Sequence, residues 1–108
     1  MDGPTSSGLL AILSALANPH RLQILAVLAD ETNYVSSLAR EIGISRPLLI
    51  MHLKRLEAVG LVTSRLELSD DGKAMRFYDV GDFDLHLTPN SISTLAKKTG
   101  AFSKIEET

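Results

Sequence analysis

The chain has 108 residues, enough for one domain, and its 44% hydrophobic and 22% charged residues exclude disorder as the default state. It has no cysteine, which excludes disulfides, thiolate metal sites and cysteine nucleophiles. Eleven basic against thirteen acidic residues leave a net charge of -2, which excludes a uniformly basic phosphate binder. The distribution is uneven. Residues 40–76 hold seven basic side chains against five acidic ones, a net +2, so the flanks together carry -4. That asymmetry points to a local basic surface on a mildly acidic body.

Met1 to Gly8 contain no basic stretch of the kind that opens a secretion signal. The apolar run Leu9–Leu13 is far shorter than the ~20 residues of a membrane span. The expectation is a cytoplasmic protein without a membrane anchor.

Ser6 and Ser7 are good helix caps, and Leu9, Ile12, Leu13 and Leu16 behind them recur at the spacing of one helical face. Asn18-Pro19 ends that helix and opens the next, because proline disfavours helical backbone before it and suits a first turn. The second helix carries Leu22, Ile24, Leu25, Val27 and Leu28, a broad stripe expected at the centre of the core. Glu31-Thr32-Asn33 reads as a polar loop. Val35, Leu38, Ala39 and Ile42 define a short third helix, with Gly43 at its C-terminal end. Ser45 is an N-cap for a fourth helix from about Arg46 to Val59, with Pro47 in its first turn and Gly60 beyond it. Two helices joined by about three residues that include a glycine form the helix-turn-helix pattern.

The period then changes to two. Val62, Ser64, Leu66 and Leu68 alternate with Thr63, Arg65 and Glu67 as in a strand. Asp70-Asp71-Gly72-Lys73 reads as a hairpin turn with Asp71-Gly72 as its two-residue signal, and Met75 to Val80 returns. Phe83–Leu87 alternates as a third strand or an edge does. A last short helix covers Ser91 to Lys98, and residues 99–108 read as a frayed tail. With no repeat and no linker, residues 1–108 make one domain with its core over about 9–98. The fold class is α+β and mainly helical: a winged helix-turn-helix with a β-hairpin wing and a short C-terminal helix.

The fourth helix carries the candidate chemistry. At 100° per residue, Leu49, Leu53 and Leu56 share one face that docks on the preceding helices. Pro47, Met51, Lys54 and Ala58 fall opposite, with Ile50 and Arg55 on the flanks. An outward face of mixed apolar and basic groups fits a major groove. There Arg46 reaches a guanine or a phosphate, Ile50 and Met51 meet thymine methyls, and Lys54 and Arg55 reach the backbone. The helix start at Ser45 also favours a phosphate. In the wing, Lys73 and Arg76 are offered to phosphates, while Asp70 and Asp71 at the tip repel them. The same apolar surface would equally serve a winged helix that binds protein and no DNA.

Leu16-Ala17-Asn18-Pro19-His20-Arg21-Leu22-Gln23-Ile24-Leu25 resembles the opening of the arsenic-repressor-like (ArsR-type) winged-helix regulators. Leu38 to Pro47 resembles their helix-turn-helix, and His52 to Val62 the end of their recognition helix and first wing strand. The resemblance covers about residues 9–80. It implies a prokaryotic transcription factor, a homodimer on palindromic double-stranded DNA, with Arg46, Pro47, Ile50 and Met51 at base-contact positions. The chain departs from that pattern at Ile50, where the family commonly has serine and where isoleucine offers no hydrogen bond. The family's thiolate metal site is impossible here. Asp84-Leu85-His86 has the spacing of another family site, but no second histidine-rich pair follows, so neither a metal nor another cofactor is expected.

His20 is expected at the surface or in a cap. His52 is expected at the edge of the core face, bonded to a neighbouring backbone group. No nucleophile–base pair, phosphate-binding glycine loop or paired carboxylates stand out, so no catalysis is expected. Leu9, Leu10, Leu13 and the segment from Phe83 to Leu95 are the expected dimer surface.

Overall fold

The computed structural model describes residues 6–99 of the chain. The elements run α1 (Ser6–Leu16), α2 (Pro19–Asp30), β1 (Asn33–Tyr34), α3 (Val35–Ile42), α4 (Arg46–Ala58), β2 (Val62–Leu68), β3 (Ala74–Val80) and α5 (Pro89–Thr99). The expected tail falls almost wholly outside the described residues.

Local chemistry explains most boundaries. Ser6 and Ser7 lie within the first turn of α1 rather than ahead of it. Asn18 caps α2: its side-chain oxygen accepts from the Arg21 backbone N–H at 3.1 Å, and Pro19 follows where its missing N–H costs nothing. The core gathers Ile24, Leu25 and Leu28 of α2, Leu38 and Ala39 of α3, Leu49, Leu53 and Leu56 of α4, then Leu61, Val62 and Tyr78. Burying each large aliphatic side chain stabilises the fold by about 1.5–3 kcal/mol. Leu22, expected in this core, is 52% exposed, because α2 is covered on one side only.

The sheet has three strands in the order β1-β3-β2, all antiparallel. Its third strand is not where alternation suggested. Asn33 and Tyr34, read as part of a polar loop and its exit, pair with Tyr78 and Phe77 of β3. That pairing occupies the β3 edge, and residues 81–88 form no ladder. Phe83 and Leu85 alternate with exposed Asp84 and His86 because an extended segment turns Phe83 toward the core.

The wing turn also differs from expectation. An Asp71-Gly72 two-residue turn requires positive φ at both residues. Here only Gly72 is left-handed, at φ 84°. The Ser69 carbonyl accepts from the Gly72 N–H at 2.9 Å, and the Ser69 N–H donates to the Lys73 carbonyl at 2.8 Å, so the loop is a three-residue turn closed by the glycine. Beyond Val62 the hairpin outruns the helices. Leu66 and Leu68, on the Val62 face, are 61% and 76% exposed, with nothing among the described residues covering them.

A candidate nucleic-acid interface on the fourth helix

The link from α3 to α4 is fixed residue by residue. Gly43 takes φ 84°, a backbone state that a Cβ would strain, and its N–H bonds the Ala39 carbonyl at 2.8 Å. Ile44 follows, half-buried, with its N–H on the same carbonyl at 3.1 Å. The Ser45 hydroxyl then accepts from the Leu48 N–H at 3.2 Å and starts α4. The serine oxygen is thus occupied by the cap, and Pro47 in the first turn has no N–H to offer.

Helix α4 is two-faced. Leu49, His52, Leu53 and Leu56 are buried. Arg46, Pro47, Ile50, Met51, Lys54, Arg55, Glu57 and Ala58 are exposed, and all but Arg46 and Glu57 belong to the outward set that the helical angles select. Ile50 and Met51 are 36% and 43% exposed although aliphatic, and they sit between the cations of Arg46 and of Lys54 and Arg55. A surface with apolar centre and cationic ends matches a groove floor bounded by phosphates.

The wing cations divide. Arg76 lies beside the end of α4: its Nη1 donates to the Ser64 hydroxyl at 3.1 Å, and that hydroxyl donates to Glu57 of α4 at 2.9 Å. Lys73 stands at the turn with Asp70 and Asp71, away from α4. The Ser69 hydroxyl and the Lys73 backbone N–H hold the Asp71 carboxyl below the usual carboxylate range, so the tip stays anionic. Arg65, also basic, forms ion pairs with Glu67 and Asp79 and lies 5.9 Å from the Phe77 ring centre. Its charge is neutralised within the wing.

One cluster escaped sequence reasoning. His52 is 3% exposed, and its Nδ1 accepts from Arg21 Nε at 3.1 Å rather than from a neighbouring backbone group. Arg21 Nη1 also donates to the Ala15 carbonyl of α1 at 3.3 Å. The ring of His20 is 5.7 Å from that of His52, and its Nδ1 is buried with no hydrogen-bond partner among the described residues. Burial first, then the charges of Arg21, His20 and Arg55, push the His52 ring below the ordinary histidine value of 6.5. Arg21 and His52 stand 31 positions apart, and no local periodicity links them.

Residues 18–64 match the model of the bacterial regulatory proteins of the arsR family. An uncharacterized HTH-type transcriptional regulator of Methanocaldococcus jannaschii is 36% identical over 81 residues, which cover 75% of this chain and 84% of that protein. The chain belongs to the arsR family of regulatory proteins. As an ArsR-family protein it is a DNA-binding transcriptional regulator. The structure of HlyU from Vibrio cholerae superimposes on it with a TM-score of 0.64 at 30% identity, over 86% of this chain and 92% of that one. The solution structure of a homodimeric winged helix-turn-helix DNA-binding domain from Mycobacterium bovis gives 0.63 at 22% identity, over 99% and 91%. At that identity the second likeness speaks for the fold alone. The family match runs from the start of α2 into β2 and so takes in the whole of α4.

Proposed function

We propose that this ArsR-family regulator reads double-stranded DNA sequence-specifically by laying α4 in the major groove. The observation that carries this reading is the outward face of α4, where exposed Arg46, Pro47, Ile50, Met51, Lys54 and Arg55 stand opposite a fully buried leucine stripe. Arg46, beside the capped helix start, takes the guanine or phosphate contact. Ile50 and Met51 pack on thymine methyls, and Lys54 and Arg55 hold the flanking phosphates. Arg76 supplies a further phosphate contact at the base of the wing, and Lys73 a weaker one, opposed by Asp70 and Asp71.

The reading includes a homodimer acting in the cytoplasm. Helices α1 and α5 pack together, and Leu10, Leu87 and Ile92 are 49%, 45% and 44% exposed. Leu9, expected on this surface, is 2% exposed and belongs to the protomer's own interior. The Mycobacterium bovis domain of the same fold is a homodimer. Among the described residues no single helix is long and apolar enough to cross a membrane.

The test is selection from random-sequence duplexes at two salt concentrations. An enriched palindrome whose binding falls steeply with salt supports the reading. Binding that ignores salt, with no enriched sequence, removes it and points to a protein partner for Ile50 and Met51.

A further inference from the structure

We propose that Arg21 and His52 seat the recognition helix α4 on the rest of the fold, and that a proton on His52 unseats it, so that DNA binding weakens in acid. The inference rests on α4 being the DNA-reading helix. Arg21 joins three elements. It stands in the first turn of α2, Nη1 reaches the Ala15 carbonyl at the end of α1, and Nε reaches His52 in the middle of α4. Turning α4 about its long axis, or sliding it along α2, stretches the 3.1 Å Nε–Nδ1 bond.

The chemistry of this bond fixes a protonation state. A guanidinium has donors only, so the Nδ1 it faces must be unprotonated, and His52 is the neutral ring with its proton on Nε2. Adding a proton to Nδ1 sets two N–H donors against each other and two cations side by side in a buried space. The charged and titratable groups acting on the ring are Arg21 and His20 from α2 and Arg55 from its own helix, all basic. His20, with its own Nδ1 buried and unbonded among the described residues, adds a second group that opposes a charge there. Protonation therefore favours any arrangement in which α4 moves away from Arg21, and a displaced α4 no longer presents Arg46 and Lys54 in register.

Arg21 and His52 are positioning residues, and the distinguishing readout is a pH profile. The probe is a fluorescently labelled random-sequence duplex, titrated with the full chain at fixed low salt. For wild type, Kd should be level above the ordinary histidine value of 6.5 and rise as pH falls below it, by at most about tenfold per pH unit for one proton. His52→Asn places an oxygen near the position of Nδ1, which still accepts from Arg21 and takes up no proton. It should bind at neutral pH with the acid loss removed. A wild-type Kd that does not rise in acid, or that rises equally in His52→Asn, overturns the proposal and leaves the DNA reading intact. Absence of any salt-sensitive binding at neutral pH overturns both.

The ring nitrogens give the same test without a substitution. In wild type at neutral pH the ¹⁵N shifts should show Nδ1 unprotonated. DNA should lower the His52 titration midpoint, since linkage is reciprocal. A protonated Nδ1, or a midpoint that DNA leaves in place, also overturns it.

Discussion

Lys54 and Arg65 are both exposed and basic, and the structure gives them different electrostatic roles. Lys54 is exposed on the outward face of α4 with no ion pair among the described residues, while Arg65 is paired with Glu67 and Asp79. DNA affinity falls with salt because each neutralised phosphate releases counterions, with a log–log slope of about -0.9 per phosphate. Lys54→Ala should therefore flatten that slope by about 0.9 per protomer, or about 1.8 for a dimer. Between about 50 and about 200 mM salt, wild type should then lose about twelvefold more affinity than the variant.

The control is a charge-balanced pair, Arg65→Met with Glu67→Gln, which leaves the wing cluster at the same net charge through Asp79. Its slope should match wild type. Fluorescence anisotropy on one duplex across a salt series measures all three proteins. Equal flattening by Lys54→Ala and by the wing pair would refute the division of the basic residues into free and neutralised groups. An unchanged slope in Lys54→Ala would refute the placement of α4 against DNA.

Asp70→Asn removes one negative charge at the wing tip, where no ion pair among the described residues offsets it, and should tighten DNA binding most at low salt, measured by the same titration. Leu49 is fully buried at the centre of the α4 stripe. Leu49→Ala should cost about 2–5 kcal/mol in urea unfolding, and a loss below about 1 kcal/mol would place this side chain outside the core. Ser45→Ala deletes the cap on Leu48 and should cost about 0.5–2 kcal/mol, with sequence preference kept at the salt where binding persists. His52 has a folded pKa below its ordinary 6.5, so as pH falls the unfolded chain takes up that proton first. Its stabilising contribution is complete above 6.5 and is lost as pH drops toward the folded value. Urea midpoints should fall over that window in wild type and fall less in His52→Asn, and equal falls would place the acid sensitivity elsewhere.

The helices were legible because their signals are local. Asn18-Pro19, Gly43, and Ser45 with Pro47 are chemical punctuation, and they stand in the structure where capping and turn rules place them. The outward face of α4 followed from angle alone, since a leucine stripe at 49, 53 and 56 leaves one direction open. What failed was non-local. The strand at Asn33 and Tyr34 exists only because β3 presents an edge to it, and two residues carry no period. Phe83–Leu87 has the period of a strand but finds no partner. Leu22, Leu66 and Leu68 fit apolar patterns, yet no described element covers the outer side of α2 or the far half of the wing. The Arg21–His52 bond depends on the crossing of α2 and α4, and local periodicity does not specify that crossing.

A chain of net charge -2 serves as a DNA-binding regulator because attraction is set within about a Debye length of the phosphates, ~8–10 Å at ordinary salt, rather than by the total. The acidic excess lies in the flanks, whereas Arg46, Lys54 and Arg55 are exposed on one helix with no acidic residue before Glu57. Glu57 itself accepts a hydrogen bond from Ser64, whose oxygen also receives Arg76. The one acidic side chain near the basic face is thus turned toward the wing. The same economy explains the aliphatic residues between the cations. In the proposed docking, burying Ile50 and Met51 against thymine methyls would add a contribution that is less sensitive to salt than phosphate contacts are. It also varies with base sequence, which phosphate contacts alone do not. In the proposed docking of α4, the departure from serine at Ile50 would shift discrimination at that position from hydrogen bonding toward apolar contact. Ile50→Ser should lose more affinity at thymine-containing sites than at sites where that thymine is replaced by cytosine. An equal loss at both would show that Ile50 does not face the base edges.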